Sequence, residues 1–180
     1  GRWPFAFIEE HTPRSLAAHL RRHGIGRALV SPLDAVFAPE PGPANYQLLA
    51  TTEGVAGLEP VPVVNPALAN WRDELATCAA DPRVRAVRVL PRYHNYRLNA
   101  PALQEFTAEL LRRRLRLIVQ VRLIDERHEF HAMNLKPVPP ADAKDPANWP
   151  EEMRREWGTD EGVEGAAEHR ALMVAGFEEC

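Results

Sequence analysis

Four short apolar runs punctuate the chain: RALVS (27–31), VPVVN (61–65), RAVRVLP (85–91) and RLIVQVRL (116–123). Each is rich in Val, Ile and Leu and lacks strict polar alternation. Strands of a parallel sheet, buried on both faces, read this way. The segments between them carry helical periodicity. In 12–24, Thr12 stands as N-cap, Pro13 occupies the first helical position and Gly24 marks the stop, with Leu16, Leu20 and His23 on one face. A shorter helix is expected over 44–54. In 70–82, Asn70 is the expected cap, with Asp73 three residues on and Pro82 past the end. In 99–115, Asn99 is the expected cap, Leu103, Phe106, Leu110 and Leu111 form the apolar stripe, and Arg112 to Arg114 fill the last turn, where the helix dipole favours cations.

Helices and strands thus alternate, with strand starts 34, 24 and 31 residues apart. That spacing predicts an α/β fold of parallel βα units with right-handed crossovers. The alternation stops after Leu123. We expect residues 1–138 to form the βα domain and 139–180 an acidic tail, irregular and helical, with helices over 150–157 and 161–177.

Composition is ordinary for a globular chain of 180 residues. The net charge of −3 gives no reason to expect nucleic acid or an acidic membrane as partner. It is unevenly spread: residues 141–180 hold eleven acidic and four basic side chains, leaving about +4 on the rest. Two distant cysteines, Cys78 and Cys180, make neither a disulfide framework nor a zinc pattern, and fit a reducing, cytoplasmic setting. No apolar run approaches the ~20 residues that cross a bilayer. The opening GRWPF leads us to expect an incomplete or processed chain.

In parallel α/β folds the ligand site lies at the carboxyl ends of the strands. The candidates there are Asn65, Tyr93, His94, Asn95, Tyr96, Gln120 and Arg122, with Ser31 and Asp34 at the first strand. Arg88 is a guanidinium inside an apolar strand, and if it points inward it needs a carboxylate from the protein or from a ligand. We assign Arg88 and His94 the chemical roles, as anion anchor and as hydrogen-bond donor or proton shuttle. Tyr93 and Tyr96 become pocket walls and Gln120 and Arg122 the polar floor, with Asn65 and Asn95 as further substrate contacts. DERHEFH (125–131) reads as a charged surface loop before it reads as a metal site, and the sequence offers no nucleophile trio and no phosphate loop.

GRWPF, GIGRALVSPLDAVF, VVNPALANWRDEL, VRAVRVLPRYHNYRLNAPAL and LRLIVQVRLIDER, taken in order, resemble the amidohydrolase-related family over about residues 1–138. The resemblance implies about half of a (β/α)8 TIM barrel, the four runs being its second to fifth strands. It also implies metal-dependent hydrolysis of a small organic substrate at a divalent ion such as zinc. The family's His-x-His belongs to a strand before Gly1. Gln120 stands where the fifth strand commonly ends in histidine, and Arg88 sits about where some relatives carry lysine. No motif-matched metal ligand remains. Two other readings stand beside the enzyme: a small-molecule-binding or structural module without catalysis, and a half-enzyme completed by a partner chain. Four parallel strands would leave two open edges, so a second copy or a partner chain is expected to cover them.

Overall fold

The computed structural model describes residues 12–120. In chain order they form α1 (Pro13–Arg22), β1 (Ala28–Val30), a 3-10 turn (Leu33–Val36), α2 (Gly42–Thr52), β2 (Leu58–Pro60), α3 (Trp71–Ala79), β3 (Ala86–Val89), α4 (Pro101–Arg113) and β4 (Arg116–Val119). The chain is therefore a mixture of helices and short parallel strands. β1 pairs with β2 and β3 with β4, both parallel. A single parallel bridge, Val63 to Arg88, joins the two pairs. The expected tail, 139–180, and the helices predicted in it lie outside the described residues.

The second strand differs most from expectation. VPVVN is fully buried, but regular pairing with β1 lies three residues earlier, at Leu58–Pro60. Proline explains the shift: Pro62 has no N–H to give a ladder. Its carbonyl still accepts from Arg88 N–H at 2.8 Å, and Val64 N–H donates to the Arg88 carbonyl at 3.0 Å. The segment after β2 thereby leaves β1 and crosses to β3.

That crossing strands Val63, whose own N–H and C=O face away from β3. The side-chain amide of Asn45, in α2, closes both. Val63 N–H donates to Asn45 Oδ1 at 2.8 Å, and Asn45 Nδ2 donates to the Val63 carbonyl at 2.7 Å. The second Nδ2 hydrogen goes to Glu74 Oε1 on α3, also at 2.7 Å. Asn45 is 1% exposed, so every bond it makes replaces a lost bond to water.

Helix starts follow proline more than the expected caps. At α1, Thr12 accepts from Ser15 N–H at 3.1 Å and Ser15 reaches back to Thr12 N–H, a reciprocal box. At α3 the Asn70 side chain makes no capping bond. At α4 the cap position is Ala100, not Asn99, because Pro101 takes the first helical position. α2 starts at Gly42, two residues before the expected point, with Pro43 in its first turn. α1 buries Ala17, while Leu16 and Leu20 are half-buried and His23 is exposed.

The main core lies between β3, β4 and the helices α3 and α4. Val87 and Val89 pack there with Trp71, Leu75, Phe106 and Leu110, and Leu117 and Val119 lean on them. Trp71 and Phe106 meet edge to face at 5.4 Å. α4 ends at Arg114 in the left-handed conformation, φ 56°, and Leu115 N–H closes back onto the Leu110 carbonyl. Arg113 and Arg112 both pair with Glu109 one turn earlier.

Asn45→Ala leaves the Val63 N–H and C=O buried without partners. The expected loss is about 3 kcal/mol, from ~1–3 kcal/mol per orphaned group. Urea unfolding measures it, and a loss under about 1 kcal/mol would show that water replaces the amide.

Candidate functional site

Alternation along β3 divides its side chains between two faces. Val87 and Val89 enter the helix-side core. Arg88 faces the other way, beside its register partner Ile118 on β4 and its bridge partner Val63. Leu90, two residues on, packs with Val63, Ala35 and Val36, and Leu33 and Tyr93 lean on that group. The turn after β1 and the loop after β3 therefore meet over the carboxyl end of the Arg88 face.

Arg88 is half-buried, and Nε has no hydrogen-bond partner. Among the described residues no carboxylate pairs with it. Burial pulls its pKa down from the ordinary arginine value, although a guanidinium stays protonated at any working pH. Among the described residues the expected protein carboxylate is therefore not found beside it.

His94 lies at the same rim. A carbonyl can only accept, so the 3.0 Å contact with the Ala35 carbonyl fixes Nε2 as the protonated nitrogen. Nδ1 then carries a lone pair, buried and unpartnered. Burial lowers the His94 pKa, and the Ala35 bond opposes that only in part. The ring is a neutral, oriented base whose donor end is already committed.

Not all the expected residues gather here. Tyr93 does, meeting Phe37 edge to face at 5.7 Å. Gln120 joins through its backbone, its N–H donating to the Val89 carbonyl at 2.9 Å. Ser31 donates to the Val61 carbonyl at 2.6 Å, tying the end of β1 to the crossing segment. Asn95 is exposed, in a turn with φ 54°, a conformation asparagine tolerates. Tyr96 leans instead on the helix-side core. Its hydroxyl makes no well-formed hydrogen bond, and burial raises its pKa against a weak opposing pull from the Leu90 backbone N–H. Asn65 lines a separate cavity between α2 and α3. Arg122 and the 125–131 loop lie outside the described residues, and Asp34 is exposed on the 3-10 turn.

Sequence reasoning missed Asn45 and Glu74. The signal for Asn45 was available: asparagine inside a helix is locally unfavourable unless its amide bonds elsewhere. Glu74 reads on its own as an ordinary acidic residue in a first helical turn. Cys78 donates to Glu74 Oε1 at 3.6 Å, and burial, then the Glu74 carboxylate, push its thiol up to about 12. It is a packed donor, not a nucleophile.

Among the described residues no three His, Cys, Asp or Glu side chains converge where a metal ion could be held. No helix of the described residues is long and apolar enough to cross a membrane. No protein-family model, curated protein or solved structure matches the chain.

The depressed His94 pKa has a definite sign. The unfolded chain binds this proton more readily than the folded one. The stability that neutral His94 contributes is therefore complete above its ordinary value of 6.5 and drains away as pH falls below it. His94→Gln keeps a donor for Ala35 and removes the titration. Between about pH 7.5 and pH 5, the urea midpoint of the native chain should fall further than that of the variant. Parallel falls would place the titration elsewhere.

Proposed function

We propose that the chain is an amidohydrolase-like βα segment, about half of a (β/α)8 barrel, which binds a small organic carboxylate against Arg88. Neighbouring parallel strands in sequence order, each followed by a loop at its carboxyl end, support the barrel part of this reading. The observation that carries the ligand is the half-buried Arg88 guanidinium, which no carboxylate of the described residues meets. A charge in that position costs several kcal/mol unless it is met, and a planar carboxylate matches its donor fork. The Tyr93 ring stands at the same rim, able to wall an apolar ligand body.

The family's metal chemistry does not fit the described residues. They supply no ligand cluster, and Gln120 stands where the family's histidine is expected. We therefore derive binding from Arg88 and no hydrolytic step through a metal. Charge composition and the described helices give no support to a nucleic-acid or membrane partner. A second copy or a partner chain at the β1 edge is a further part of the proposal. It is favoured by Leu29, 53% exposed on a strand with β2 as its only neighbour among the described residues. Sedimentation showing a monomer across a roughly hundred-fold concentration range would remove that part.

Benzoate and its neutral isostere benzamide test the carboxylate. Benzoate should bind at least about ten-fold more tightly, the value of one charge-assisted hydrogen bond. Arg88→Met should abolish the difference while leaving the urea midpoint unchanged or higher, since it removes an unmet charge. Equal binding of the two compounds refutes the anchor. A variant destabilised by several kcal/mol would show that Arg88 has a structural partner instead.

A further inference from the structure

Between the first turns of α2 and α3 lies a cavity of about 180 Å³, lined by Glu40, Gly42, Tyr46, Asn65, Trp71 and Glu74 among others. Asn65 is only 7% exposed. Its Oδ1 accepts from Ala67 N–H at 3.0 Å, which fixes the other end of the amide as nitrogen. That nitrogen has no hydrogen-bond partner among the described residues, and Asn65 is one of the residues that line the cavity. A nearly buried amide with an unused donor asks for an acceptor.

Glu74 supplies the opposite need. Its Oε1 takes the Asn45 amide and the Cys78 thiol, while Oε2 accepts no hydrogen bond from the described residues. A Cβ at Gly42 would sit 2.7 Å from Oε2, so glycine is what keeps that oxygen uncovered. Two helix starts border the cavity, each equivalent to roughly +0.5 charge. Glu74 offsets them, and Glu40 leaves the rim about one charge negative. No Lys, Arg or His lines it. Trp71 forms a closed wall: Arg72 stacks on its ring at 4.3 Å and Phe106 meets it edge-on. Tyr46 is 55% exposed and presents an open ring at the rim.

We propose that this cavity binds a small organic cation bearing a carbonyl next to its ammonium group, the chemistry of an amino-acid amide. The ammonium group sits between Glu74 Oε2 and Glu40. The carbonyl accepts from Asn65 Nδ2, and an aliphatic body lies against Trp71 and Tyr46. The site is separate from the Arg88 face and does not depend on the reading given for it.

Three compounds titrated into the full chain at neutral pH, followed by the Trp71 indole resonance, test each element. Leucinamide carries both groups, 2-hydroxy-4-methylpentanamide lacks the charge, and 3-methylbutylamine lacks the carbonyl. Leucinamide should bind at least about ten-fold more tightly than either. Glu74→Gln keeps an oxygen for Asn45 and removes the charge, so it should weaken leucinamide about ten-fold with the urea midpoint unchanged. Glu40→Gln, on an exposed side chain, should weaken it several-fold and guards against a folding defect in the first variant. Equal binding of the three compounds, no binding of leucinamide, or leucinamide binding indifferent to both variants would overturn the proposal.

Discussion

At Ser31 the first strand ends, and the backbone of Val63 loses the neighbour that would have bonded its N–H and C=O. The Asn45 amide stands in for that missing rung. It has the geometry of a peptide group, one acceptor and a donor side by side, and it meets Val63 as another strand would. Because its second hydrogen reaches Glu74, one side chain ties the crossing segment to α2 and α2 to α3. Each bond here is worth only about 1 kcal/mol net. The arrangement matters because every alternative leaves a buried group unpaired. It is the constraint that lets the chain pass from β1 to β3 through Pro62.

The two candidate sites lie on either side of that passage. On one side, the crossing segment delivers Val63 to Arg88 and fixes which face the guanidinium takes. On the other, Asn45 holds Glu74 Oε1 and so leaves Oε2 turned toward Gly42 and the cavity. The same hydrogen-bond network therefore sets the position of a cation that lacks an anion and of a carboxylate oxygen that lacks a donor.

The alternation of helix and strand was legible in the sequence because both periodicities were long enough to show. Of the apolar stripe expected on α4, Leu103, Phe106 and Leu110 are buried and Leu111 is half-buried. What failed to show was register. VPVVN has the composition of a strand, but the ladder with β1 lies before it, since composition does not reveal which of two neighbours a residue bonds. The cap at Asn99 failed because Pro101 fixed the backbone at the start of α4 and moved the cap position to Ala100; Asn70 does hold the cap position of α3, but its side chain makes no capping bond. The rim residues were legible only as a group. Tyr93 and Tyr96 are three positions apart in one loop, and the turn at Asn95 sends them to different clusters.

Arg88 is where local sequence logic and the fold disagree most. An apolar strand with one guanidinium reads either as a residue turned outward under a helix or as half of an ion pair. The described residues show neither: β3 turns Arg88 away from the helices, and none of their carboxylates pairs with it. Folding gains nothing from such a placement, because apolar side chains of similar volume would hold the strand at least as well. Costs of this kind accumulate where a protein meets something other than itself. The neutral His94 ring, its Nδ1 lone pair buried at the same rim, is a second cost of the same kind. Among the described residues Arg88 Nε and His94 Nδ1 are thus two buried polar atoms with complementary roles, one donating and one accepting, and neither has a partner.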